Sequence, residues 1–121
     1  STDYINAKWQ FAESLKDCNG KDEIRELIFD FLQVDNEYTQ RLALQSLAYI
    51  YPDKAEEYAI DFWWRDKYKD DAYASEYQKI VVLHVLHIIH SAELEKYLDL
   101  ADKSEYRYLK ENAEEIRKIM E

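Results

Sequence analysis

The sequence predicts an all-α protein, and two features of its 121 residues support this. Glycine and proline occur once each, too few for a sandwich or barrel with many tight turns. Apolar residues recur every three or four positions along most of the chain, the spacing of amphipathic helices. A chain of this length can bury roughly two thirds of its unfolded surface as one domain. We therefore expect a single domain, residues 1–121, of about seven antiparallel helices without strands.

The first two predicted helices cover residues 3–18 and 22–34. Four apolar residues share one face of the first helix: Tyr4, Phe11, Leu15 and Cys18. Asn19-Gly20 then supplies a left-handed stop. The inward stripe of the second helix is Ile24, Leu27, Ile28 and Phe31.

The third and fourth predicted helices meet at Tyr51-Pro52, because proline disfavours helical geometry in the residue before it. Asp35 is expected to cap the third helix. The inward residues of that helix are Ala43, Leu44, Leu47 and Ile50. Asp53 and Glu56 match a D-x-x-E capping box at the start of the fourth. Its inward residues are Ala55, Tyr58, Ala59 and Phe62.

The most apolar stretch, residues 72–90, is predicted to form the central helix. Before it, the run from Arg65 to Asp71 breaks the periodicity and is expected to be a charged loop. After it, Ser91 is expected to cap a sixth helix with inward residues Leu94, Tyr97, Leu98 and Ala101. Asp102 and Glu105 form a second capping box. The last helix is expected to bury Leu109, Ala113, Ile116 and Ile119.

Two of the predicted helices repeat each other at an offset of 39 residues. Asn36-Glu37-Tyr38 corresponds to Ser75-Glu76-Tyr77. At this offset the inward residues of the third helix fall on Val82, Leu83, Leu86 and Ile89. A third, weaker copy begins near Ser104-Glu105-Tyr106. Because each copy follows a shorter amphipathic helix, the unit is a helix pair that must stack against its neighbours.

The segment from Arg41 to Ile50 resembles the second helix of a HEAT repeat: an arginine, small apolar residues, then Leu-small-x-Ile. The resemblance covers about Asp22 to Met120 and is degenerate, since Ile80 replaces the arginine in the second copy. It implies a right-handed HEAT-like α-solenoid with helix pairs at 22–50, 53–90 and 91–120, and 3–18 as an N-terminal cap. In such a stack the second helices line the concave side. An unrelated irregular helical bundle is the alternative.

The chain is strongly acidic, with 26 acidic and 16 basic residues and a net charge of −10. This charge repels nucleic-acid phosphates and anionic lipid and attracts basic proteins. We therefore expect a basic protein partner, and neither nucleic acid nor membrane. No apolar run reaches the ~18 residues of a membrane span, and no signal peptide is visible. The single cysteine, Cys18, fits a reducing compartment, so a cytoplasmic protein is expected.

Residues beside the core stripes are candidates for contact with a partner. Rotation away from the core is expected to expose Tyr38, Arg41, Gln45 and Ala48 on the third helix. The equivalents on the fifth are Tyr77, Ile80, His84 and His87. Tyrosine, histidine and arginine are typical of contact surfaces. The alternative is that these residues fill the joint between neighbouring helices.

Three further candidates lie at the end of the fourth helix and in the charged loop. With Phe62 and Trp63 inward, Trp64 is expected at the periphery, where it and Tyr68 can anchor a partner. A lid over the end of the core is the alternative for Trp64. The loop carboxylates Asp70 and Asp71 are expected to steer a basic partner by long-range attraction.

The sequence contains no catalytic signature. His84, His87 and His90 stand three apart, but each such step drifts by ~60° around a helix, so the three cannot converge on one ion. The paired carboxylates lack the apolar setting that raises a pKa for acid–base catalysis. There is no G-x-S-x-G, glycine-rich phosphate loop or recognisable Cys–His spacing. We expect no enzyme activity, no cofactor and no metal.

Charge, aromatic residues and the lack of catalytic motifs together predict an acidic protein-binding module. Such a chain is similar in character to bacterial immunity proteins, which neutralise a cognate toxin, often a basic nuclease, by direct binding. Two alternatives belong to other classes: a HEAT-like accessory or lyase-type enzyme, and a structural adaptor in a larger assembly. A position beside a toxin gene favours immunity, whereas a position among pigment-biosynthesis genes favours the lyase type.

Overall fold

A computed structural model describes residues 21–65 and 67–121, which form six α-helices without strands. The all-α prediction is confirmed for this part of the chain. The helices are α1 (Lys21–Gln33), α2 (Glu37–Ile50), α3 (Pro52–Trp64), α4 (Ala72–Ile88), α5 (Leu94–Asp102) and α6 (Arg107–Met120). The predicted helix 3–18 with Tyr4, Phe11, Leu15 and Cys18, its stop at Asn19-Gly20, and the side chain of Ile24 lie outside the described residues.

The helices pack mainly against their neighbours in the chain. Helix α1 lies against α2, α3 against α4, and α5 against α6. Helix α2 also contacts α3, and α4 contacts α5. The central helix α4 additionally contacts both α2 and α6, so these three helices form a row with α4 in the middle.

One apolar core runs through all six described helices. The predicted inward residues are buried on α2 (Ala43, Leu44, Leu47, Ile50), α3 (Ala55, Ala59, Phe62) and α5 (Leu94, Tyr97, Leu98, Ala101). On α4 the buried members are Val82, Leu83 and Leu86, while Ile89 beyond its end and Tyr58 on α3 are half-buried. Each fully buried leucine or valine side chain contributes about 1.5–3 kcal/mol.

Three residues predicted to face inward are exposed: Leu27 and Phe31 of α1, and Ile119 of α6. On α1 the buried residues are Ile28 and Leu32, so the inward face is displaced by one position, about 100° around the helix. Ile119 lies nearly one turn beyond Ile116, the last buried residue of α6. The final turn of α6 therefore projects past the core.

Both ends of α2 are set by local hydrogen bonds. Asn36, not the predicted Asp35, caps the helix: its side chain accepts the backbone N–H of Thr39 at 2.9 Å. This agrees with the general preference for a short polar side chain at the N-cap. Tyr51 ends the helix as predicted, immediately before the proline.

The two predicted capping boxes do not form. Helix α3 begins with Pro52 and has no side-chain cap; the N–H groups of Lys54 and Ala55 donate to the carbonyl of Tyr51 instead. Glu56 instead accepts a hydrogen bond from the Ser91 hydroxyl at 2.5 Å, which joins α3 to the turn after α4. Helix α6 also lacks a cap from its own segment, so the pairing of Asp102 with Glu105 is wrong.

The central helix ends two residues earlier than predicted, in a Schellman motif. His90 adopts the left-handed conformation, with φ 55°. The N–H of His90 donates to the carbonyl of His87 at 3.1 Å, and the N–H of Ser91 to that of Leu86 at 2.9 Å. The Ser91 hydroxyl then accepts the N–H of Glu93 at 3.0 Å, so Ser91 shapes the turn that leads into α5.

The segment between α3 and α4 is a loop with a turn, as predicted, although Asp66 lies outside the described residues. Asp71 closes it by accepting the N–H of Ala74 at 3.1 Å, which caps α4. In the described part of the chain, every helix is too short or too polar to cross a membrane.

Candidate functional site

The predicted contact residues of α2 and α4 meet around the guanidinium of Arg41. Its central carbon lies 5.8 Å from the ring centroid of Tyr38 and 4.9 Å from that of Tyr77. The Arg41 Nε donates to the carboxylate of Glu37 one turn earlier. The cation is thus stabilised by two aromatic faces and a carboxylate. Arg41 is buried here and joins α2 to α4.

Four residues expected to be exposed are buried: Arg41, Gln45, Ala48 and Ile80. The helical spacing correctly placed them beside the core stripe. That side of the helix, however, turns toward neighbouring helices instead of solvent. Their burial agrees with the alternative interpretation, in which such residues fill the joint between helices.

Two further tyrosines extend the aromatic group along the starts of α4 and α6. Tyr73 lies one turn before Tyr77 on the same side of α4, and Tyr108 lies in the first turn of α6. The exposed fractions are 44% for Tyr38, 72% for Tyr73 and 48% for Tyr108, whereas Tyr77 is half-buried. We call Tyr38, Tyr73, Tyr77 and Tyr108 the tyrosine edge.

Tyr38 and Tyr77 are predicted contact residues, whereas Tyr73 and Tyr108 are not. The repeat carried a signal for both, because each lies two residues from a Ser-Glu-Tyr segment. The repeat does not predict the contact that brings the start of α6 beside α4.

That contact is made by Glu76 of α4. Its Oε2 accepts the backbone N–H of Tyr108 at 2.9 Å and of Leu109 at 3.2 Å. Amides in the first turn of a helix have no partner within their own helix. The Glu76 carboxylate therefore acts as the missing cap of α6, where a negative charge also interacts favourably with the helix dipole. It places Tyr108 beside the start of α4.

Tyr68 connects the loop to α2. Its hydroxyl lies 3.4 Å from Oε1 of Gln40, which also accepts from Arg65 Nη1 at 2.9 Å and Gln78 Nε2 at 3.5 Å. Burial raises the pKa of Tyr68, so its hydroxyl stays protonated and can donate. This network fixes the loop against α2 and α4.

The two predicted steering carboxylates, Asp70 and Asp71, are both exposed. Asp71 also caps α4, so one of its oxygens is engaged with the N–H of Ala74. Both residues immediately precede the helix turn that carries Tyr73. Asp70 and Asp71 therefore place two negative charges next to the tyrosine edge, within a loop that has equal numbers of acidic and basic residues.

Trp64 lies at the periphery, as predicted, with 57% of the residue exposed. Its Nε1 donates to the hydroxyl of Tyr97 at 2.9 Å, and the two rings meet edge to face at 6.3 Å. Trp63 is buried and packs against the same Tyr97 at 5.2 Å. The contact of Trp64 with a buried tyrosine agrees with the alternative of a lid over the core.

His84 of α4 is held between helices by a polar contact with α6. His84 Nε2 lies 2.9 Å from Asn112 Oδ1, and Asn112 Nδ2 donates to the carbonyl of Tyr108. The amide oxygen therefore faces His84, whose Nε2 must carry the proton. Burial lowers the pKa of both His84 and His87, which favours neutral imidazoles. Among the described residues, no three His, Cys, Asp or Glu side chains form a group able to hold a metal.

Comparisons with protein-family models, curated proteins and solved structures find no match for the chain. The fold and the site define a small acidic helical protein with an exposed row of tyrosines flanked by carboxylates. This surface can bind another molecule noncovalently, through aromatic faces, phenolic hydroxyls and negatively charged side chains.

Proposed function

We propose that the chain is a non-enzymatic binding protein that holds a basic protein partner on the tyrosine edge. The observation that carries the proposal is the exposure of Tyr38, Tyr73 and Tyr108 along the starts of three neighbouring helices. Tyrosine offers rigid, amphipathic contact area at a low entropic cost. Its ring face also attracts arginine and lysine side chains.

The charge around the edge favours a basic partner. Asp70, Asp71 and Glu105 are exposed and stand just before the helices that carry Tyr73 and Tyr108. The whole chain has a net charge of −10. Such a field accelerates the encounter with a cationic protein, and the acceleration weakens as salt is added. Trp64, His84 and His87 are not part of this proposed surface.

The particular partner that we propose is a toxin, for example a basic nuclease, which the chain neutralises by binding in the cytoplasm. Fast capture matters most for a protein that must intercept a toxic partner, and electrostatic steering supplies it. A direct test is to express, in a bacterial host, the gene that lies next to the one encoding this chain, with and without the chain. We expect the adjacent product to stop growth alone and the pair to grow. Growth arrest despite co-expression would contradict neutralisation.

We also propose that the helix pairs form a right-handed, HEAT-like stack. The support is the row formed by α2, α4 and α6, together with the pairing of each with the preceding helix. In a solenoid, each repeat contacts mainly its neighbours. An experimental structure with α1, α3 and α5 in one layer and a right-handed rotation between pairs is the expected result. A left-handed stack, or an odd-numbered helix crossing the α2–α4–α6 row, would contradict it.

The binding proposal can be tested by affinity capture with matched variants. The immobilised chain is compared with a triple variant, Tyr38→Ser, Tyr73→Ser and Tyr108→Ser, in lysate of the organism that encodes it. All three side chains are exposed, and the nearer ring beside Arg41, Tyr77, is retained, so circular dichroism should show an unchanged helical content. Ile119→Ser is the control, because it removes an apolar side chain that is also exposed, at 64%, from the opposite end of α6.

We expect the unmodified chain and the Ile119→Ser control to retain the same basic protein. The triple variant should lose it, and capture should weaken as salt is raised. Equal capture by the triple variant would exclude the tyrosine edge as the binding surface. A partner of acidic composition, or binding unaffected by salt, would exclude the electrostatic part of the proposal.

A further inference from the structure

A cleft of about 320 Å³ lies between the end of α3, the following loop, the first turns of α4 and the residue before α6. Its apolar wall consists of Trp63, Trp64 and Tyr106. Arg65, Lys69 and Lys79 also line it, together with Ser75. In a chain with 26 acidic and 16 basic residues, a cleft with three cations and no carboxylate among its described lining residues is unexpected.

Lys79 lies at the centre of this lining. Its Nζ donates to the Ser75 hydroxyl at 3.1 Å and lies 5.8 Å from the ring centroids of both Trp63 and Tyr106. In the described part of the chain, no carboxylate comes within ion-pair distance of it. An ammonium group has three N–H donors, so two remain for a ligand or water. Half-burial without a compensating anion also lowers the pKa of Lys79.

The two other cations differ in how they are held. Arg65 is fixed: its guanidinium donates to Gln40 and to Asp61 and lies 3.9 Å from the ring centroid of Phe62. Lys69 is exposed and forms no ion pair with a described carboxylate. The cleft therefore combines one positioned guanidinium with two ammonium groups whose charge the described residues leave uncompensated.

We propose that this cleft binds a small organic anion, with a carboxylate or phosphate group on Lys79 and a planar apolar body against Trp63 and Trp64. The anionic group supplies the counter-charge that Lys79 lacks among the described residues, and it replaces water at its remaining donors. Trp64, with 57% of the residue exposed, supplies most of the apolar contact, and the buried Trp63 contributes only its edge of the cleft wall. A volume of about 320 Å³ lies in the lower range of small-molecule sites.

The cleft is separate from the surface proposed for the protein partner. Ser75 and Lys79 are one helical turn apart on α4. Tyr73 and Tyr77 are also one turn apart, on a side of the same helix rotated by more than about 90° from the lysine. Binding of an anion in the cleft and binding of a protein at the tyrosine edge can therefore be tested independently.

The test is a titration of the ¹⁵N-labelled chain by NMR, following the indole N–H signals of Trp63 and Trp64. Phenyl phosphate and benzoate are the two anionic probes. Phenol is the neutral control for the ring, and inorganic phosphate is the control for the charge. We expect saturable shifts with at least one anionic probe and a dissociation constant of about 1 mM or lower. Phenol and inorganic phosphate should each bind at least about tenfold more weakly.

Lysine variants distinguish binding in the cleft from nonspecific electrostatic attraction of the anion to the protein. Lys79→Met should weaken the tighter probe by about tenfold or more, the expected effect of losing one charged hydrogen bond. Lys69→Met should also lower the affinity for the tighter probe. Lys69 is exposed, so its replacement is expected to leave the fold unchanged. Lys110→Met is the matched control, an exposed lysine on α6 outside the cleft, and should leave the affinity unchanged.

Three results would overturn the inference. The first is the absence of saturable indole shifts with both anionic probes. The second is equal affinity for phenol or inorganic phosphate, since the proposal requires both the charge and the planar body. The third is unchanged affinity in Lys79→Met or, if that variant does not fold, in Lys69→Met. The tighter of the two anionic probes identifies carboxylate or phosphate as the preferred group.

Discussion

Replacement of Glu76 tests the contact that positions α6 and with it the tyrosine edge. The Glu76 carboxylate is almost fully buried and accepts two first-turn amides of α6, at 2.9 and 3.2 Å. Glu76→Ala leaves both amides without an acceptor, and each hydrogen bond to a charged group is worth about 1.5 kcal/mol or more. We expect the free energy of unfolding to fall by about 3 kcal/mol. Glu76→Gln keeps one carbonyl acceptor and loses the charge, so a fall of about 1 kcal/mol is expected.

The assay is urea unfolding followed by circular dichroism. At a slope of about 1.5 kcal/mol per molar urea, Glu76→Ala should lower the midpoint by about 2 M. Glu105→Ala is the matched control, because the sequence places Glu105 in a capping box for the same helix whereas the structure leaves it exposed. A change within about 0.5 kcal/mol is expected for it. A larger loss from Glu105→Ala than from Glu76→Ala would refute the assignment of the cap.

Three further predictions concern other parts of the fold. His90→Gly should raise the melting temperature, with a stabilisation of about 1 kcal/mol, because glycine adopts the left-handed conformation without the cost paid at φ 55°; a lower melting temperature would contradict this. Leu86→Ala, in the core, should cost about 2–5 kcal/mol in urea unfolding, and Leu27→Ala, at an exposed site, less than about 1 kcal/mol; equal losses would contradict the burial pattern. Burial lowers the folded-state pKa of His84, so the unfolded chain alone gains this proton as pH falls below about 6.5. Stability should then decline by up to about 1.4 kcal/mol per pH unit, and His84→Gln should reduce that slope in unfolding curves measured between about pH 7 and 5; an unchanged slope would contradict the assignment.

The apolar spacing was sufficient to predict the inward faces of α2, α3 and α5. In α3 and α5 most buried residues recur every three or four positions, and the prediction needs no knowledge of neighbouring helices. Helix α2 buries the predicted stripe and also Arg41, Gln45 and Ala48 beside it. At the ends of the described chain the same rule failed. Leu27 and Ile119 continue the apolar pattern, yet the described helices do not cover them.

The spacing of apolar residues does not predict contacts between segments that are distant in the chain. The cap of α6 comes from Glu76, which lies 32 residues before Tyr108 in the chain. A prediction from neighbouring residues can only find a nearby capping box, such as the one at Asp102 and Glu105 that does not form. The helical spacing predicts Arg41 on a contact surface because it lies beside the core stripe and arginine is typical of such surfaces. Its burial depends on the rings of Tyr38 and Tyr77, and Tyr77 belongs to another helix.

The residues of the proposed anion-binding cleft could not be predicted for the same reason, because they come from different segments of the chain. In the sequence, Arg65 and Lys69 belong to the predicted charged loop, whereas Lys79 lies in the predicted central helix. Only the packing of the loop against α4 brings the three cations to the same cleft. Half of the tyrosine edge was predictable, because the repeat relates Tyr38 to Tyr77. Tyr73 lies one turn before Tyr77 on α4, and only Tyr108 depends on the position of α6.

The most direct test of the proposed partner surface is hydrogen exchange of the chain, alone and bound to the basic protein that it captures. We expect slower exchange, on binding, in peptides that cover the starts of α2, α4 and α6, around Tyr38, Tyr73 and Tyr108. Exchange that slows only at the far end of α6, around Ile119, or on the exposed side of α3, would contradict the proposal that the tyrosine edge holds the partner.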